Sequence, residues 1–138
     1  MTQRRPDRTL GHNHDIFWNF CAQDELHIQR CTACDKLVWP SARTCEFCGG
    51  EAFTWQRMSG RGKIVSWTAF VQDYYRGMMP VPYDTLLVEL EEGPLFISNP
   101  LDFSYDDIVP GMPVELRFID AEDSAGAFRL PIFARAAG

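Results

Sequence analysis

The sequence predicts a mainly β protein in which a short N-terminal helix, a cysteine-rich ribbon and a five-stranded barrel follow one another. Three observations support this. Apolar residues recur at helical spacing between residues 13 and 23, two CxxC pairs lie between residues 31 and 48, and five β-rich segments follow Gly60. The predicted parts are an arm and helix at residues 1–25, the ribbon at 26–59 and the barrel at 60–138.

The first part of the chain is predicted to hold one helix behind an arm. Residues 1–12 are charged, contain Pro6 and Gly11 and lack apolar periodicity, so we expect a disordered or loosely held arm. Asn13 or Asp15 is expected to cap the helix that follows. Its apolar face must pack against another part of the chain. That face consists of Ile16, Phe17, Phe20 and Cys21.

Three short strands are predicted around the cysteine pairs. Residues 26–30 and 53–58 alternate apolar and polar side chains, and residues 37–40 lie between the two pairs. Two cysteine turns joined by short strands are typical of a ribbon, whereas a finger would carry a helix.

The two CxxC pairs predict one metal site. Cys31 and Cys34 are separated by ten residues from Cys45 and Cys48. Each CxxC turn brings two thiolates to the same ion, and two such turns supply four sulfur ligands at about 2.3 Å. We predict that these four cysteines bind one structural zinc ion, because a complete set of sulfur ligands leaves no position for a reactive water.

Two alternatives use the same four cysteines. Iron in place of zinc needs the same ligands, and two independent redox pairs need only the CxxC spacing. The odd total of five cysteines argues against a disulfide framework. Cys21 lies on the apolar helix face and is predicted to be a buried thiol. The three histidines, His12, His14 and His27, are predicted to be surface or packing residues.

Five strands after Gly60 predict a small barrel. A capped helical turn is predicted at residues 104–108, between the third and fourth strands. A five-stranded OB-fold has a helix at this place, so we predict an OB-fold barrel. The predicted strands are residues 63–72, 85–91, 95–98, 114–119 and 128–135.

The charge distribution argues against nucleic acid as a partner, and the lack of a long apolar run argues against a membrane span. The net charge is −6, and from Ile64 onward four basic residues face twelve acidic ones. A surface of that sign repels phosphate backbones. No apolar run approaches the roughly 18 residues of a membrane span. The first residues lack the apolar stretch of a secretory signal, so we expect a cytoplasmic protein.

Most of the chain, roughly residues 14–135, resembles a known family. Its members are acyl-CoA-associated proteins that combine an N-terminal helix, a rubredoxin-like zinc ribbon and a C-terminal OB-fold. Asp35 departs from the pattern, because many members have glycine after the first CxxC. The resemblance rests on residues 30–34, 45–49, 59–68, 88–93 and 110–114, together with Phe17, Trp18, Leu26, Trp39 and Pro40.

The resemblance implies an accessory subunit that is not an enzyme on its own. Members join thiolase-like enzymes, including aldolases that cleave CoA-bound side chains of steroids, or hotdog-fold enoyl-CoA hydratases. They stabilise the partner and help to shape the acyl-CoA passage, while the catalytic residues belong to the partner. The sequence agrees, since it contains no G-x-S-x-G or H-E-x-x-H motif. A competing hypothesis, an OB-fold that binds single-stranded nucleic acid, conflicts with the acidic barrel.

The segment of residues 60–63 is a candidate contact for the ligand. Arg61 and Lys63 are the last basic cluster before the acidic half, and they are candidate contacts for a CoA phosphate. The alternative interpretation of this glycine-flanked segment is a hinge between ribbon and barrel.

The loop of residues 74–83 is a second candidate. It is rich in tyrosine, methionine and proline, and it joins strands one and two, where OB-folds commonly bind ligands. It either folds back over one barrel end, or it docks on a partner enzyme or lines an acyl-CoA channel. Together with the helix face at Phe17 and Phe20, it predicts self-association when the chain is alone.

Overall fold

The computed structural model describes residues 2–8 and 12–137, and residues 1 and 9–11 of the predicted arm lie outside them. The described chain is mainly β, with one α-helix, as predicted. The elements are β1 (Gln3–Arg4), α1 (His14–Cys21), β2 (His27–Cys31), β3 (Leu37–Val38), β4 (Phe53–Arg57), β5 (Arg61–Phe70), β6 (Tyr83–Leu90), β7 (Leu95–Ser98), β8 (Pro113–Asp123) and β9 (Gly126–Arg135).

Strands β5 to β9 form the barrel. They pair in the order β7-β6-β5-β8-β9, and each neighbouring pair is antiparallel. The barrel closes between β9 and the residues that follow β7. There the Phe133 N–H donates to the Asn99 carbonyl at 3.2 Å, and the Leu101 N–H donates to the Phe133 carbonyl at 2.8 Å. Closure leaves few unpaired strand edges. The predicted five-stranded OB-fold is confirmed.

The close approach of β5 to β6 explains one glycine. A Cβ atom on Gly62 would lie 2.7 Å from Val88 Cγ1 and 2.8 Å from the Glu89 carbonyl oxygen. Gly62 and Lys63 pair with β6 on one edge, and residues 61–63 pair with β8 on the other. The hinge interpretation of residues 60–63 is therefore wrong, because this segment is the doubly paired start of a barrel strand.

The predicted helical turn between β7 and β8 is present as a single 3-10 turn, Tyr105–Asp107. The Ser104 N–H donates to the Asp107 carboxylate at 2.9 Å, which closes a capping box. No helix in the described part of the chain has the length and apolar character needed to cross a bilayer.

The ribbon is a three-stranded sheet with β2 between β3 and β4. The fully buried Gln29 on β2 holds the loop between the cysteine turns. Its Oε1 accepts from the Ala42 N–H at 2.8 Å, and its Nε2 donates to the Ala42 carbonyl at 3.3 Å. Both ends of the buried amide are thereby satisfied.

Helix α1, the ribbon and the barrel share one hydrophobic core. The Phe17 ring lies 4.7 Å from that of Trp39, which in turn lies 5.3 Å from that of Phe96. Phe20 stacks on His27 at 3.6 Å. The helix face is therefore covered by the chain itself, which corrects its predicted role in self-association. Asn13 precedes the helix with φ 63° and makes no side-chain capping bond, so the predicted cap is wrong there.

The N-terminal arm is docked on the barrel. Strand β1 runs parallel to the end of β8, and the Arg5 N–H donates to the Glu122 carbonyl at 3.0 Å. Arg8 forms an ion pair with Asp123 at 2.7 Å. The prediction of a loosely held arm is wrong for residues 2–8, because their partners lie more than a hundred residues away in sequence.

Candidate functional site

The four predicted ligand cysteines converge at one end of the ribbon. Their Sγ atoms all lie within 4.8 Å of one another. The Cys31 and Cys48 sulfurs are 3.5 Å apart, and those of Cys34 and Cys45 are 3.6 Å apart. Sulfurs bound tetrahedrally at about 2.3 Å from one ion are separated by roughly 3.8 Å. The spacing fits a four-sulfur metal site.

The two cysteine turns have the same backbone geometry. In the first, the Asp35 N–H donates to the Cys31 carbonyl at 2.8 Å; in the second, the Gly49 N–H donates to the Cys45 carbonyl at 2.8 Å. Both donor residues have a left-handed backbone, with φ 65° at Asp35 and 77° at Gly49. The turn needs a left-handed residue one position after the second cysteine, which explains the usual glycine where this chain has Asp35.

Backbone amides also favour the thiolate form that a metal requires. Hydrogen bonding from the backbone of Cys34 lowers the pKa of Cys31 to about 7. The backbone of Lys36 acts in the same direction on Cys34, but desolvation and the neighbouring sulfurs outweigh it and raise the pKa of Cys34 to about 12. Gly50 lets the turns approach, since a Cβ there would lie 3.4 Å from the sulfurs of both Cys31 and Cys48. Among the described residues, this is the one group of three or more cysteine, histidine or acidic side chains placed to hold an ion.

A second candidate site is a groove of about 420 Å³ between the arm, helix α1 and the loop after β5. We call it the aromatic groove. The Phe70 and Tyr83 rings stack 5.1 Å apart at its wall, whereas Tyr74 and Tyr75 remain 66% and 42% exposed. The predicted tyrosine loop therefore packs on the barrel at its end and is open to solvent at its start. Its aromatic lining consists of Trp18, Phe70, Tyr74, Tyr75, Tyr83 and Phe128.

Two arginines of the docked arm line this groove. Arg8 lies over the Phe128 ring at 4.2 Å and is bound to Asp123 through two nitrogens. Arg5 donates to the Asn99 side-chain oxygen at 2.9 Å. Sequence reasoning missed both residues, because an arm without periodicity gives no sign of its distant partners.

Two family models match consecutive parts of the chain. The rubredoxin-like zinc ribbon domain of ChsH2 matches residues 18–54. The C-terminal OB-fold domain of ChsH2 matches residues 55–118. The two matches continue into each other without a gap, in the order in which the structure has ribbon and barrel. The chain belongs to the ChsH2 family.

Two curated relatives of this ChsH2-family chain are longer proteins. A probable enoyl-CoA hydratase alpha subunit of Thermomonospora curvata is 31% identical over 131 residues, which is 94% of this chain and 39% of that protein. A DUF35 domain-containing scaffold protein of Pyrococcus furiosus is 33% identical over 85 residues, which is 58% of this chain and 59% of that protein. The chain thus spans less than two thirds of either relative.

Solved structures share the fold of the family. A chain of the Ltp2-ChsH2(DUF35) aldolase superposes with a TM-score of 0.82 and 29% identity, covering 95% of this chain and all of that chain. A DUF35-family protein of unknown function from Sulfolobus solfataricus has a TM-score of 0.59 at 15% identity, covering 77% and 78% of the two chains. The second likeness concerns the fold alone.

The ribbon match and the sulfur geometry together identify a structural metal-binding site at the four cysteines. The fifth cysteine, Cys21, is fully buried, as predicted, and desolvation raises its pKa to about 12. It lies on α1, outside the cysteine cluster.

The predicted phosphate contacts lie in a different part of this ChsH2-family chain. Arg61 and Lys63 are on β5, with Arg61 Nη2 at 2.7 Å from Glu91 and Lys63 Nζ at 3.4 Å from Glu89. All four side chains are largely exposed. A phosphate would have to compete with these carboxylates, so the two residues stay a prediction.

Proposed function

We propose that this chain is an accessory, non-catalytic subunit of an acyl-CoA-processing complex, with a thiolase-like enzyme or aldolase as its partner. One observation carries the proposal, which is the likeness over 95% of the chain to a chain of the Ltp2-ChsH2(DUF35) aldolase. Within this proposal, the complex acts in steroid side-chain degradation. A cytoplasmic location belongs to the proposal, because free thiols persist in reducing compartments.

The chemistry of the described residues supports a non-catalytic role. Four sulfurs around one ion leave no open coordination position for substrate or water. The relative from Pyrococcus furiosus carries the name of a scaffold protein. The catalytic groups are therefore assigned to the partner.

We propose zinc as the ion at Cys31, Cys34, Cys45 and Cys48. A bound zinc ion would join the two turns and stabilise the small ribbon directly. Metal analysis of the purified chain should return one zinc per polypeptide. Iron at the same ligands would instead give a coloured protein that absorbs visible light.

The exposed loop at Tyr74 and Tyr75 is the proposed contact with the partner enzyme. Aromatic and methionine side chains are enriched in interface cores. We expect simultaneous alanine substitution at Tyr74, Tyr75 and Met79 to weaken association with the partner at least tenfold, since hot-spot side chains contribute about 2 kcal/mol or more. Metal content and the melting transition of the isolated chain should stay as in wild type.

Co-purification with candidate partners tests the complex itself. The wild-type chain and the triple alanine variant are each expressed with a thiolase-like enzyme, and a variant at the exposed Val109, beyond the loop, serves as a matched control. The wild type and the control should bring down the enzyme. Equal recovery by all three chains would contradict the assigned surface, and recovery by none would contradict the partner class.

A hotdog-fold enoyl-CoA hydratase is the second candidate partner. The relative from Thermomonospora curvata favours it, because its name describes an enoyl-CoA hydratase alpha subunit. Parallel expression with a hydratase and with a thiolase-like enzyme distinguishes the two candidate partners.

Single-stranded DNA tests the alternative function of nucleic-acid binding. We expect no binding, since the acidic barrel should repel the phosphate backbone. Self-association of the isolated chain through its exposed loop is measured by light scattering.

Arg61 and Lys63 remain proposed contacts for a CoA phosphate. Exposed ion pairs are worth only about 0–1 kcal/mol, so a phosphate can displace Glu91 and Glu89. Glutamine at both basic positions should weaken CoA binding to the complex, whereas Arg117→Gln, which also removes a surface cation, should not. Unchanged CoA affinity in the double variant would remove the assignment.

A further inference from the structure

The two arginines that line the aromatic groove differ in their partners. Arg8 is neutralised by the nearly buried carboxylate of Asp123, whose side chain is 2% exposed. Arg5 has only neutral acceptors among the described residues. They are the Asn99 oxygen at 2.9 Å, the Gln3 oxygen at 3.2 Å and the Met79 sulfur at 3.9 Å.

Arg5 also lies where two cavities meet. It lines the aromatic groove and a second cavity of about 450 Å³, together with Met79, Tyr83 and Asn99. Each cavity falls within the range of about 300–1,000 Å³ that is typical of ligand sites. Burial among these side chains lowers the pKa of Arg5. Arg5 is half-buried, and a half-buried guanidinium without a carboxylate partner is stabilised when a ligand supplies the opposite charge.

We propose that this groove binds an amphipathic monocarboxylate, with the apolar chain along Tyr74, Tyr75 and Ile97 and the carboxylate on the Arg5 guanidinium. The planar fork of arginine matches a carboxylate, and a charge-assisted pair is stronger in apolar surroundings. The apolar lining requires an apolar body, and the single uncompensated cation requires a single negative charge. Tyr74 and Tyr75 also belong to the proposed contact with the partner enzyme, so this site is the property of the chain free of its partner.

The surroundings of Arg5 disfavour a doubly charged phosphate. Asp84 lines the second cavity, and its carboxylate accepts from the Tyr105 N–H at 3.0 Å. Arg4 lines the second cavity as well. Within the aromatic groove, however, Arg5 is the one described cation without an acidic partner, so a second negative charge on the ligand would find no cation there. The carboxylate is therefore the better match.

Calorimetric titration with decanoate tests the proposal on the full chain. We expect decanoate to bind the wild type and Arg5→Gln to lose about tenfold in affinity, which is the size of one charge-assisted contact. Arg117→Gln, a cation paired with Glu115 on the barrel surface, removes the same charge and should bind as wild type. Decan-1-ol, which lacks the charge, should bind the wild type and Arg5→Gln equally.

A second measurement guards against unfolding of the variant. The amide spectrum of Arg5→Gln should match that of wild type outside the arm, and decanoate should shift the signals of Ile97 and Asn99 in wild type. Absence of decanoate binding, or equal affinities of decanoate for wild type and Arg5→Gln, would overturn the proposal. Shifts confined to residues outside the groove would overturn it as well.

Discussion

The guanidinium of Arg8 lies 2.7 Å from the carboxylate of Asp123, and the Arg8 N–H donates to the same carboxylate at 3.0 Å. The Ala125 N–H donates to it as well, at 3.0 Å. One nearly buried acid therefore fixes both the arm and the turn between β8 and β9. The walls of the aromatic groove depend on this contact, since Arg8 is one of them.

Replacement of Asp123 should release the arm. Asp123→Asn removes the charge that compensates Arg8. An uncompensated arginine is more stable in water than in contact with the barrel, so release of the arm becomes more favourable. We expect faster amide hydrogen exchange at residues 2–8 and unchanged exchange in the ribbon. Asp102→Asn, which alters an exposed acid beside Arg135, is the matched control. Equal protection of the arm in both variants would refute the anchoring role.

The same pair predicts a dependence on pH. Hydrogen bonds from Arg8 hold the pKa of Asp123 well below its usual range. The stabilisation is therefore complete above the unfolded-state pKa of about 3.9 and is lost as the pH falls through the lower folded-state value. The free energy of unfolding should differ between wild type and Asp123→Asn by a constant amount near neutral pH, and this difference should shrink below about pH 4. Urea titrations across this range measure it.

Substitutions at two cysteines should have opposite effects on the metal. Cys45→Ser removes a buried sulfur of the cluster and should abolish tight metal binding and unfold the ribbon. Cys21→Ala should keep the metal, because Cys21 lies outside the cluster. Metal content and circular dichroism check both. Loss of metal from the Cys21 variant would contradict the assignment of ligands.

The residue that follows each CxxC pair should control the stability of its turn. Asp35→Gly removes a left-handed non-glycine residue, which costs about 1 kcal/mol. The contact that it loses, from Arg30 to an 83% exposed Asp35 side chain, is worth less. We expect a more stable metal-loaded protein, and Gly49→Ala should be less stable by about 1 kcal/mol. Thermal unfolding with metal present measures the stability of both variants. Destabilisation by Asp35→Gly would show that the Arg30–Asp35 contact stabilises the turn more than the left-handed backbone destabilises it.

Added volume at Gly62 should destabilise the barrel. Gly62→Ala places a methyl group against Val88 and the Glu89 carbonyl, so β5 and β6 must separate. We expect a loss of about 1–3 kcal/mol in the free energy of unfolding. Ser66→Ala, at an exposed position of the same strand, should change it by less than about 0.5 kcal/mol. Chemical denaturation provides the values, and equal losses would contradict the close approach.

Local patterns in the sequence were sufficient where the partners are near in the chain. Residues 95–98 form β7 as predicted, because alternation and the preceding turn residues mark both the strand and its start. The cysteine cluster follows from spacing alone, since each turn is closed by its own backbone. The match to the family then confirmed the order of ribbon and barrel.

Contacts between distant residues could not be predicted in this way. Strand β8 was expected to end at Ile119 but continues to Asp123, whose carboxylate binds Arg8, 115 residues away in the chain. The acidic residues at 120–123 are, by themselves, typical of a loop, so the sequence pattern indicates too early an end for the strand. The burial of Gln29 is equally hidden, since its partner is the backbone of Ala42 and no side-chain pattern indicates it.

The ring contacts from Phe17 through Trp39 to Phe96 connect the cysteine end of the molecule with the groove. Trp39 directly follows β3 between the two cysteine turns, and Phe96 precedes Ile97, which lines the groove. An ion held by the four cysteines would therefore be connected, through packed rings, to a surface that it does not touch. Removal of the ion by a chelator would deform that surface along with the ribbon.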